Sequence, residues 1–269
     1  MRIIRFRDPE GQIHFGAACA DGSARLLAGN LLGTYTLSDQ RADVAKLLAP
    51  LPILPPAIFC IGLNYRRHAE ETKAKLPTHP VVFMKNPAAV QNPGDPIEIP
   101  TRLASGKVDY ECELAIVIGK RAKNVPVARA LDYVLGYTAA NDVSARDWQR
   151  EWGGSQWCRA KTFDTFCPLG PALLTPDEIP NPNALALSTT LNGQLMQSSN
   201  TADMIFSVPQ LIAFLSGSTT LLPGTVILTG TPEGVGMART PPVYLKPGDR
   251  LAISIDQIGV LENPVIPEP

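Results

Sequence analysis

The sequence predicts a mixed α/β protein in which β-strands dominate, and three observations support this prediction. The 269 residues include 26 prolines and 21 glycines, so turns are frequent and long uninterrupted helices are disfavoured. Hydrophobic residues make up 45% of the chain, which is enough for a sizeable core. The apolar residues fall mostly in short runs bounded by turn residues, a pattern typical of strands. The composition therefore argues against an all-helical protein.

The N-terminal part predicts a small α+β subdomain. Met1–Arg7 and Gln12–Ala18 have strand-like patterns on either side of a turn that contains proline and glycine. Residues 38–48 carry apolar side chains at helical spacing after Ser38, whose side chain suits a helix N-cap. We therefore expect two strands followed by a helix.

A proline-dense stretch at 48–57 separates this unit from the rest of the chain. Its sequence, LAPLPILPPA, cannot lie inside a helix because proline lacks the N–H group that a helix requires. We place the boundary within it, so that residues 1–52 form the N-terminal subdomain and residues 53–269 form the main domain.

The main domain predicts many short strands and few helices. The predicted strands cover residues 58–65, 81–85, 111–119, 134–144, 185–195, 225–230 and 249–256. Helical patterns cover residues 127–133, 145–152 and 208–216. The segment 66–76 is charged and helix-forming but has no apolar stripe, so we expect a helix that acts as a mobile lid.

Charge and cysteine content limit the classes of partner. The 24 basic and 25 acidic residues give a net charge of −1 with no charge run, which argues against a nucleic-acid or membrane surface. The N-terminus lacks the apolar core of a secretory signal, and the five cysteines show no C-x-x-C spacing. We therefore expect a cytoplasmic protein with reduced thiols that binds neither nucleic acid nor membranes.

Glu111 and Glu113 form the first candidate site. Side chains two residues apart in a strand share one face and lie about 6.6 Å apart, so both carboxylates can reach one cation. The alternative is an exposed strand face. The strand continues as LAIVIG, which suits burial on both sides, and buried like charges need a cationic partner. Both interpretations stay open on this pattern alone.

Asp142 is the third candidate carboxylate. It follows the apolar strand VLGYTAAN, where a side chain can point into a cleft, although an aspartate at this place also suits the N-cap of a following helix. Together with Glu111 and Glu113 it would form an all-oxygen site. Such ligands select Mg²⁺, Mn²⁺ or Ca²⁺ over zinc or copper.

Two further parts of the sequence suggest an acid–base pair and a cationic group that binds an anion. His68 and Glu71 are neighbours on a helix at i and i+3, an arrangement that orients an imidazole, although a solvated surface helix is the simpler interpretation. Lys161 stands in an apolar, aromatic stretch and needs an anionic partner, which favours a substrate carboxylate. The alternative is a strand-edge lysine that buries only its aliphatic stem.

The remaining candidates are Arg146 and Gln149, which share a helix face, and the glycine-rich turn LTGTPEGVGM at 228–237. The turn matches neither a Walker motif nor G-x-G-x-x-G, so phosphate and dinucleotide loops are excluded. It either presents Thr229, Gly230 and Thr231 to a ligand or is an ordinary turn.

In this order the segments resemble the fumarylacetoacetate hydrolase family, over about residues 58–262. The resemblance rests on GLNYRRHAEE, VFMKNP, DYECELAIVIGK, YTAANDVSARDWQ, AKTFDTFCPLGP, NTADMIFS and ILTGTPEGVG. It implies a β-roll catalytic domain in residues 53–269, a homodimer and a bound divalent cation. That cation would be Mg²⁺ or Mn²⁺, with Ca²⁺ as a substitute in crystals.

The resemblance also implies roles for individual residues. Glu111, Glu113 and Asp142 correspond to metal ligands, His68 and Glu71 to a catalytic dyad on a lid that orders with substrate, and Lys161 to an active-site lysine. Substrate-binding positions would be Asn64, Tyr65, Arg146, Gln149, Gly230 and Thr231. Fumarylacetoacetase itself has a fourth carboxylate ligand upstream of the paired glutamates. No such residue can be placed here, which favours a smaller substrate.

The implied function is that of a divalent-metal-dependent enzyme acting on a short 2-oxo dicarboxylic acid through a metal-bound enolate. Its reaction would be oxaloacetate-type enol–keto tautomerisation or hydrolysis of a C–C bond in an acylpyruvate. The alternatives are an oxaloacetate decarboxylase, a 2-oxo-pentenoate hydratase or isomerase of aromatic catabolism, and a non-catalytic scaffold that only binds metal or ligand.

Overall fold

The computed structural model describes residues 1–152 and 154–269, and this part of the chain contains nineteen strands and four α-helices. The first ten strands are β1 Arg2–Arg7, β2 Ile13–Ala18, β3 Ser23–Gly29, β4 Tyr35–Asp43, β5 Lys46–Leu48, β6 Ile58–Gly62, β7 Val81–Lys85, β8 Val90–Gln91, β9 Ile97–Ile99 and β10 Val108–Asp109. The others are β11 Cys112–Ile118, β12 Val134–Asn141, β13 Ser144–Ala145, β14 Cys167–Leu174, β15 Ala186–Leu191, β16 Gln194–Asn200, β17 Val226–Leu228, β18 Arg250–Ile255 and β19 Gly259–Pro267. The predicted mixed, mostly β class is confirmed.

The helices are few and short. The α-helices are α1 Arg66–Glu71, α2 Arg146–Arg150, α3 Trp157–Lys161 and α4 Val208–Ser216, and 3₁₀-helices cover Pro87–Ala89, Val127–Tyr133, Thr201–Asp203 and Gly236–Ala238. No described helix combines the length and the apolar character needed to cross a lipid bilayer.

Two sheets enclose the main core. Ten strands of a twelve-stranded sheet run in the order β4-β3-β2-β1-β14-β12-β11-β17-β6-β7, with β5 beside β1 and β8 beside β14. A five-stranded sheet, ordered β16-β15-β18-β19-β9, packs against β11, β12 and β14. Buried side chains of both sheets, such as Leu114 and Ile253, belong to one hydrophobic cluster.

The central pair β11 and β12 positions the predicted site. Every residue of both strands is buried, as their continuous apolar sequences predict. The strands run antiparallel with Cys112 opposite Asn141, and the N–H of Asp142 donates to the carbonyl of Glu111 at 2.9 Å. The paired glutamates at the start of β11 therefore lie beside the aspartate that follows β12.

The helix predicted over residues 38–48 is wrong. These residues belong to β4, which pairs with β3, and to β5, which pairs with β1. The Ser38 hydroxyl donates to the carbonyl of Leu26 on the neighbouring strand instead of capping a helix. Residues 1–50 therefore contain strands and no helix, because pairing with neighbouring strands satisfies this backbone.

The strand predicted over residues 185–195 is a hairpin instead. β15 and β16 pair antiparallel around Asn192 and Gly193, whose φ angles are 52° and 80°. Positive φ at both central residues is the requirement of a type I′ turn, for which Asn-Gly is the preferred sequence. The turn was therefore visible in the sequence.

The segments predicted to be helical agree with the structure to different degrees. The pattern over 208–216 is confirmed as α4, and the pattern over 145–152 yields the shorter α2. Residues 127–133 form a 3₁₀-helix. The charged segment 66–76 is helical only in α1, because the helical hydrogen bonds end at Thr72 and Lys73 follows with a positive φ of 53°.

Candidate active site

Three buried carboxylates converge where β11 begins and β12 ends. Oxygen atoms of Glu111, Glu113 and Asp142 all lie within 4.8 Å of one another. We call these residues the acidic triad. The glutamates are only 6% and 1% exposed, so they do not form a solvated strand face. The N-cap of α2 is Ala145, so Asp142 does not cap that helix.

Two buried lysines neutralise part of the acidic triad. Lys161 Nζ, at the end of α3, donates to Glu111 Oε2 at 2.7 Å and to Asp142 Oδ2 at 2.8 Å. Lys85 Nζ, at the end of β7, donates to Asp142 Oδ1 and to the Val143 carbonyl. Lys161 is therefore not a strand-edge residue, since it is 1% exposed and bound to two carboxylates.

Glu113 differs from the other two members of the triad. Its carboxylate accepts a hydrogen bond from the backbone N–H of Gly230 at 2.7 Å. Among the described residues, no lysine, arginine or histidine nitrogen lies within 4.0 Å of it. A buried carboxylate with no cationic partner is costly, so this group favours a proton or an added cation.

Arg146 connects the triad to a fourth buried carboxylate. Its Nε donates to Asp109 Oδ2 at 2.9 Å, one terminal nitrogen lies 2.7 Å from Glu111 Oε1, and the other donates to Gln149 Oε1 at 3.0 Å. The Asp109 carboxylate also accepts from three backbone N–H groups, those of Tyr110, Gly236 and Met237. Protein donors thus occupy both oxygens of Asp109, and this residue is not a fourth candidate ligand for a cation.

The charges of this cluster do not balance within the protein. Four buried carboxylates (Asp109, Glu111, Glu113 and Asp142) face three buried cationic side chains (Lys85, Arg146 and Lys161). With all four carboxylates ionised one negative charge remains, so Glu113 needs either a proton or a cation at the triad. The three carboxylates therefore fit a hard cation, since oxygen ligands of this kind are what such ions bind.

The pKa values of the two glutamates move in opposite directions. Burial alone would raise the pKa of Glu111, but the charges of Lys161 and Arg146 outweigh it and lower this pKa to about 2. Burial and the charges of Asp142 and Glu111 raise the pKa of Glu113 well above its ordinary value. Of the two glutamates, Glu113 is therefore the one whose ionised form needs a cation.

An imidazole–carboxylate pair lies on α1. His68 Nδ1 is 3.1 Å from Glu71 Oε2, and the other Glu71 oxygen accepts from the backbone N–H of Gly234 at 2.9 Å. We call His68 and Glu71 the dyad. His68 is 8% exposed and lines the same cavity as Glu111 and Glu113, so α1 is not a solvated surface helix. Contact of Nδ1 with Glu71 leaves Nε2 available to a ligand.

The cavity that Glu111, Glu113 and His68 line together has a volume of about 180 Å³. Pockets for drug-sized ligands are usually 300–1,000 Å³, so this one suits a small molecule. The polar residues that line it are His68, Thr72, Glu111, Glu113, Arg146, Gln149, Arg150, Lys161 and Thr231. The other lining residues are Ile61, Gly62, Leu63, Ala74, Phe83, Trp157 and Met237.

The predicted substrate-binding residues fall into two groups. Arg146, Gln149 and Thr231 line the cavity, and Gly230 holds Glu113 through its N–H. Asn64 and Tyr65 do not line it. The Asn64 amide donates to the Thr229 and Phe206 carbonyls and accepts from the Phe206 N–H, and Tyr65 is fully buried in the core. Asn64 therefore supports the loops around the site, and Tyr65 contributes to the core.

Sequence reasoning missed three buried polar residues. Lys85 is the last residue of the otherwise apolar strand β7, so the argument applied to Lys161 would have found it. Asp109 precedes Glu111 by two residues, and this alternation was also a readable signal. Gln197 donates to the Thr231 hydroxyl at 2.9 Å and accepts from the Cys112 N–H at 3.0 Å. It stands in a polar strand, where nothing in the sequence marks it.

Comparison with known protein families gives two matches that together cover nearly the whole chain. The family model described as "Fumarylacetoacetate (FAA) hydrolase C-terminal" matches residues 57–266. A second, described as "Rv2993c-like, N-terminal", matches residues 1–50.

Individual relatives agree with this assignment. The chain is 51% identical over 221 residues to the oxaloacetate tautomerase fahd2, mitochondrial, of Xenopus laevis, covering 82% of this chain and 68% of that protein. Two similar solved structures each align over 100% of both chains. They are a 5-carboxymethyl-2-hydroxymuconate delta-isomerase from Mycobacterium smegmatis (40% identity, TM-score 0.86) and a fumarylacetoacetate hydrolase from Exiguobacterium antarcticum (36% identity, TM-score 0.87).

These matches decide the family, while location and assembly stay predictions. The Xenopus relative is named as mitochondrial, so the expected cytoplasmic location receives no support from it. The expected homodimer is likewise untested. A family match across residues 57–266, with relatives of this identity and coverage, establishes that the chain belongs to the fumarylacetoacetate hydrolase family of enzymes.

Proposed function

We propose that this protein is a divalent-cation-dependent enzyme that interconverts the enol and keto forms of a short 2-oxo dicarboxylic acid, with oxaloacetate as the principal substrate. The observation that carries the proposal is one small cavity lined by two members of the acidic triad, Glu111 and Glu113, and by His68 of the dyad. The name of the Xenopus relative, an oxaloacetate tautomerase at 51% identity, supports the same reaction.

The acidic triad is the proposed cation site. Glu111, Glu113 and Asp142 would hold the ion, and Mg²⁺ or Mn²⁺ suits three carboxylates better than zinc or copper. When bound, such an ion acts as a Lewis acid that stabilises negative charge on an enolate oxygen. Gly230 keeps Glu113 oriented by donating its N–H to that carboxylate.

The dyad is the proposed proton carrier. Tautomerisation breaks the O–H bond of the enol and forms a C–H bond at the neighbouring carbon, so a group must accept and return a proton. His68 can do this through Nε2, because Nδ1 faces Glu71. Glu71 is itself fixed by the Gly234 N–H, so the imidazole is held in one orientation.

Lys161, which also lines the cavity, would serve the same reaction. Two of its three N–H bonds go to Glu111 and Asp142, so its first effect is to hold these ligands in place. The third N–H is left for a substrate oxygen that gains negative charge during the reaction. This differs from a lysine that is free to bind a distant carboxylate.

Hydrolysis of an acylpyruvate is the second candidate, supported by the likeness to the Exiguobacterium hydrolase. The same dyad would then activate a water molecule instead of moving a substrate proton. The two reactions give different products, so one assay separates them.

The test is a panel of 2-oxo acids assayed with Mg²⁺ or Mn²⁺, following enol absorbance and pyruvate release in parallel. We expect rapid loss of enol absorbance with oxaloacetate and no pyruvate. Pyruvate from oxaloacetate would indicate a decarboxylase, pyruvate from acetylpyruvate a hydrolase, and turnover of a 2-oxo-pentenoate a hydratase. A protein treated with a chelator is the control, and no turnover of any compound with either ion would contradict an enzymatic function.

A further inference from the structure

The cationic side chains that line the cavity are not equivalent. Lys161 is bound to two members of the triad, and Arg146 is bound to Asp109 and Glu111. Arg150 also lines the cavity, yet within residues 1–152 and 154–269 no carboxylate lies within 4.0 Å of its guanidinium group. A charged group at a ligand cavity with no internal counter-ion is available to an anionic ligand.

Arg150 occupies the outer end of the cavity. It is the last residue of α2, one helical turn after Arg146, so both guanidinium groups leave the same helix face. Arg150 is solvent-exposed and also lines a second cavity of about 250 Å³, which shares Thr72, Arg146 and Met237 with the first. It therefore stands where the two cavities adjoin.

The two guanidinium groups differ in how their charges are compensated. Like charges at i and i+4 repel each other, and only Arg146 has carboxylate partners in the described structure. A carboxylate placed beside Arg150 would relieve that repulsion. Guanidinium matches a carboxylate with two parallel N–H donors, so this contact would be directional as well as electrostatic.

We propose that Arg150 binds the second carboxylate of the substrate and so makes the enzyme prefer dicarboxylic over monocarboxylic 2-oxo acids. The inference rests on the proposed function, in which the triad side of the cavity receives the 2-oxo acid end. Lys161 does not fill this role, since the triad already engages it. Arg150 is a specificity-determining residue, and it takes no part in moving the proton.

The test compares two stable four-carbon 2-hydroxy acids that differ only at the distal group, malate and 2-hydroxybutyrate. Their binding to the Mg²⁺-loaded protein is measured by calorimetry for the wild type, Arg150→Gln and Arg150→Lys. Arg121→Gln is the matched control, because Arg121 is exposed and does not line the cavity. We expect Arg150→Gln to weaken malate about 10- to 100-fold and to leave 2-hydroxybutyrate unchanged. Arg150→Lys should retain part of the preference as a point charge.

The outcomes separate this inference from the proposed function. Loss of the malate preference in Arg150→Gln supports the role of Arg150 even if the wild-type protein fails to tautomerise oxaloacetate. In that case only the proposed reaction is disproved. The inference is overturned if the wild type does not prefer malate, if Arg150→Gln weakens both acids equally, or if it weakens neither. An equal effect of Arg121→Gln would also overturn it.

Discussion

The two sides of the cavity are built in different ways. The triad stands at the ends of β11 and β12, two strands with no exposed residue, and three buried cationic side chains contact Glu111 or Asp142. The dyad stands on α1, a helix of six residues held through the contact of Glu71 with the Gly234 N–H and that of the Arg67 N–H with Asp203. The triad brings like charges together and therefore requires a rigid scaffold. The dyad carries a proton and requires only the correct position.

This contrast predicts that substitutions on the triad side alter cation binding and stability, and that substitutions on the dyad side alter turnover alone. The largest effect is expected from Glu111→Gln combined with Glu113→Gln. Removing two of three charged ligands should abolish Mg²⁺ and Mn²⁺ binding in calorimetry, and turnover with it. The exposed Glu10 offers a control as Glu10→Gln. Unchanged cation affinity in the double variant would disprove the proposed site.

On the other side of the cavity, His68→Ala should lower kcat about 10²- to 10⁴-fold, the usual contribution of a general acid–base group. Cation affinity should stay as in the wild type, because the His68 imidazole is bonded to Glu71 and is not one of the three carboxylate ligands. Steady-state kinetics and calorimetry on the same preparation check both statements. His79→Ala is the control, since His79 is exposed in a loop. If turnover survives in His68→Ala, the dyad is not the proton carrier.

Within the triad, single substitutions should have opposite effects on the stability of the cation-free protein. The pKa of Glu111 is lowered from 4.5 to about 2, so its stabilisation is present above about pH 4.5 and is lost as the pH falls through 2. Glu111→Gln should therefore lose about 3 kcal/mol of unfolding free energy at neutral pH.

The raised pKa of Glu113 has the opposite effect on the pH dependence of stability. The folded, cation-free protein then favours the protonated carboxyl, and stability falls as the pH rises from the ordinary value of 4.5 through the folded pKa. Glu113→Gln should raise the Tm at neutral pH and flatten its pH dependence, while it weakens cation binding. Chelator-treated samples scanned at several pH values test the pair, and a lower Tm for Glu113→Gln would contradict the charge assignment.

The smallest effect is expected at the apolar wall between the two sides. A Cβ atom added at Gly62 would lie 2.3 Å from Trp157 Cζ3, so Gly62→Ala must displace an indole that lines the cavity. We expect a cost of about 1–3 kcal/mol in stability and a modest rise in KM, with kcat nearly unchanged. Gly106→Ala is the control, because no atom lies within 4 Å of a Cβ there. An equal KM in both variants would show that this wall does not contact substrate.

The sequence predicted the triad better than its surroundings, for a physical reason. Alternation along a strand places Glu111 and Glu113 on one face, and Asp142 follows the end of an apolar strand. Local patterns therefore mark all three as candidates, although each pattern left an alternative open. The ion partners come from distant segments: Lys85 is 57 residues from Asp142. The tertiary packing that brings the ends of β7 and α3 to the triad decides which lysines are buried, and no local pattern shows it.

The fold errors have a similar origin. Residues 38–48 have an apolar spacing that suits a helix, and long-range pairing with β3 and β1 overrides this local preference. The hairpin at Asn192 is different, because its turn sequence was local and was overlooked. Local chemistry therefore predicted much of the site, and errors arose mainly where distant partners decide the backbone conformation.

The pairing of β1 with β14 has a consequence for how the protein can be divided. Ile3 lies opposite Leu173 and is completely buried with it, so the segment before the proline-rich stretch completes the same sheet and core as the segment after it. A fragment starting at residue 53 would expose an unpaired edge of β14, the kind of surface that recruits other chains into aggregates. The two sequence families joined in this chain are thus expected to unfold together in one cooperative transition.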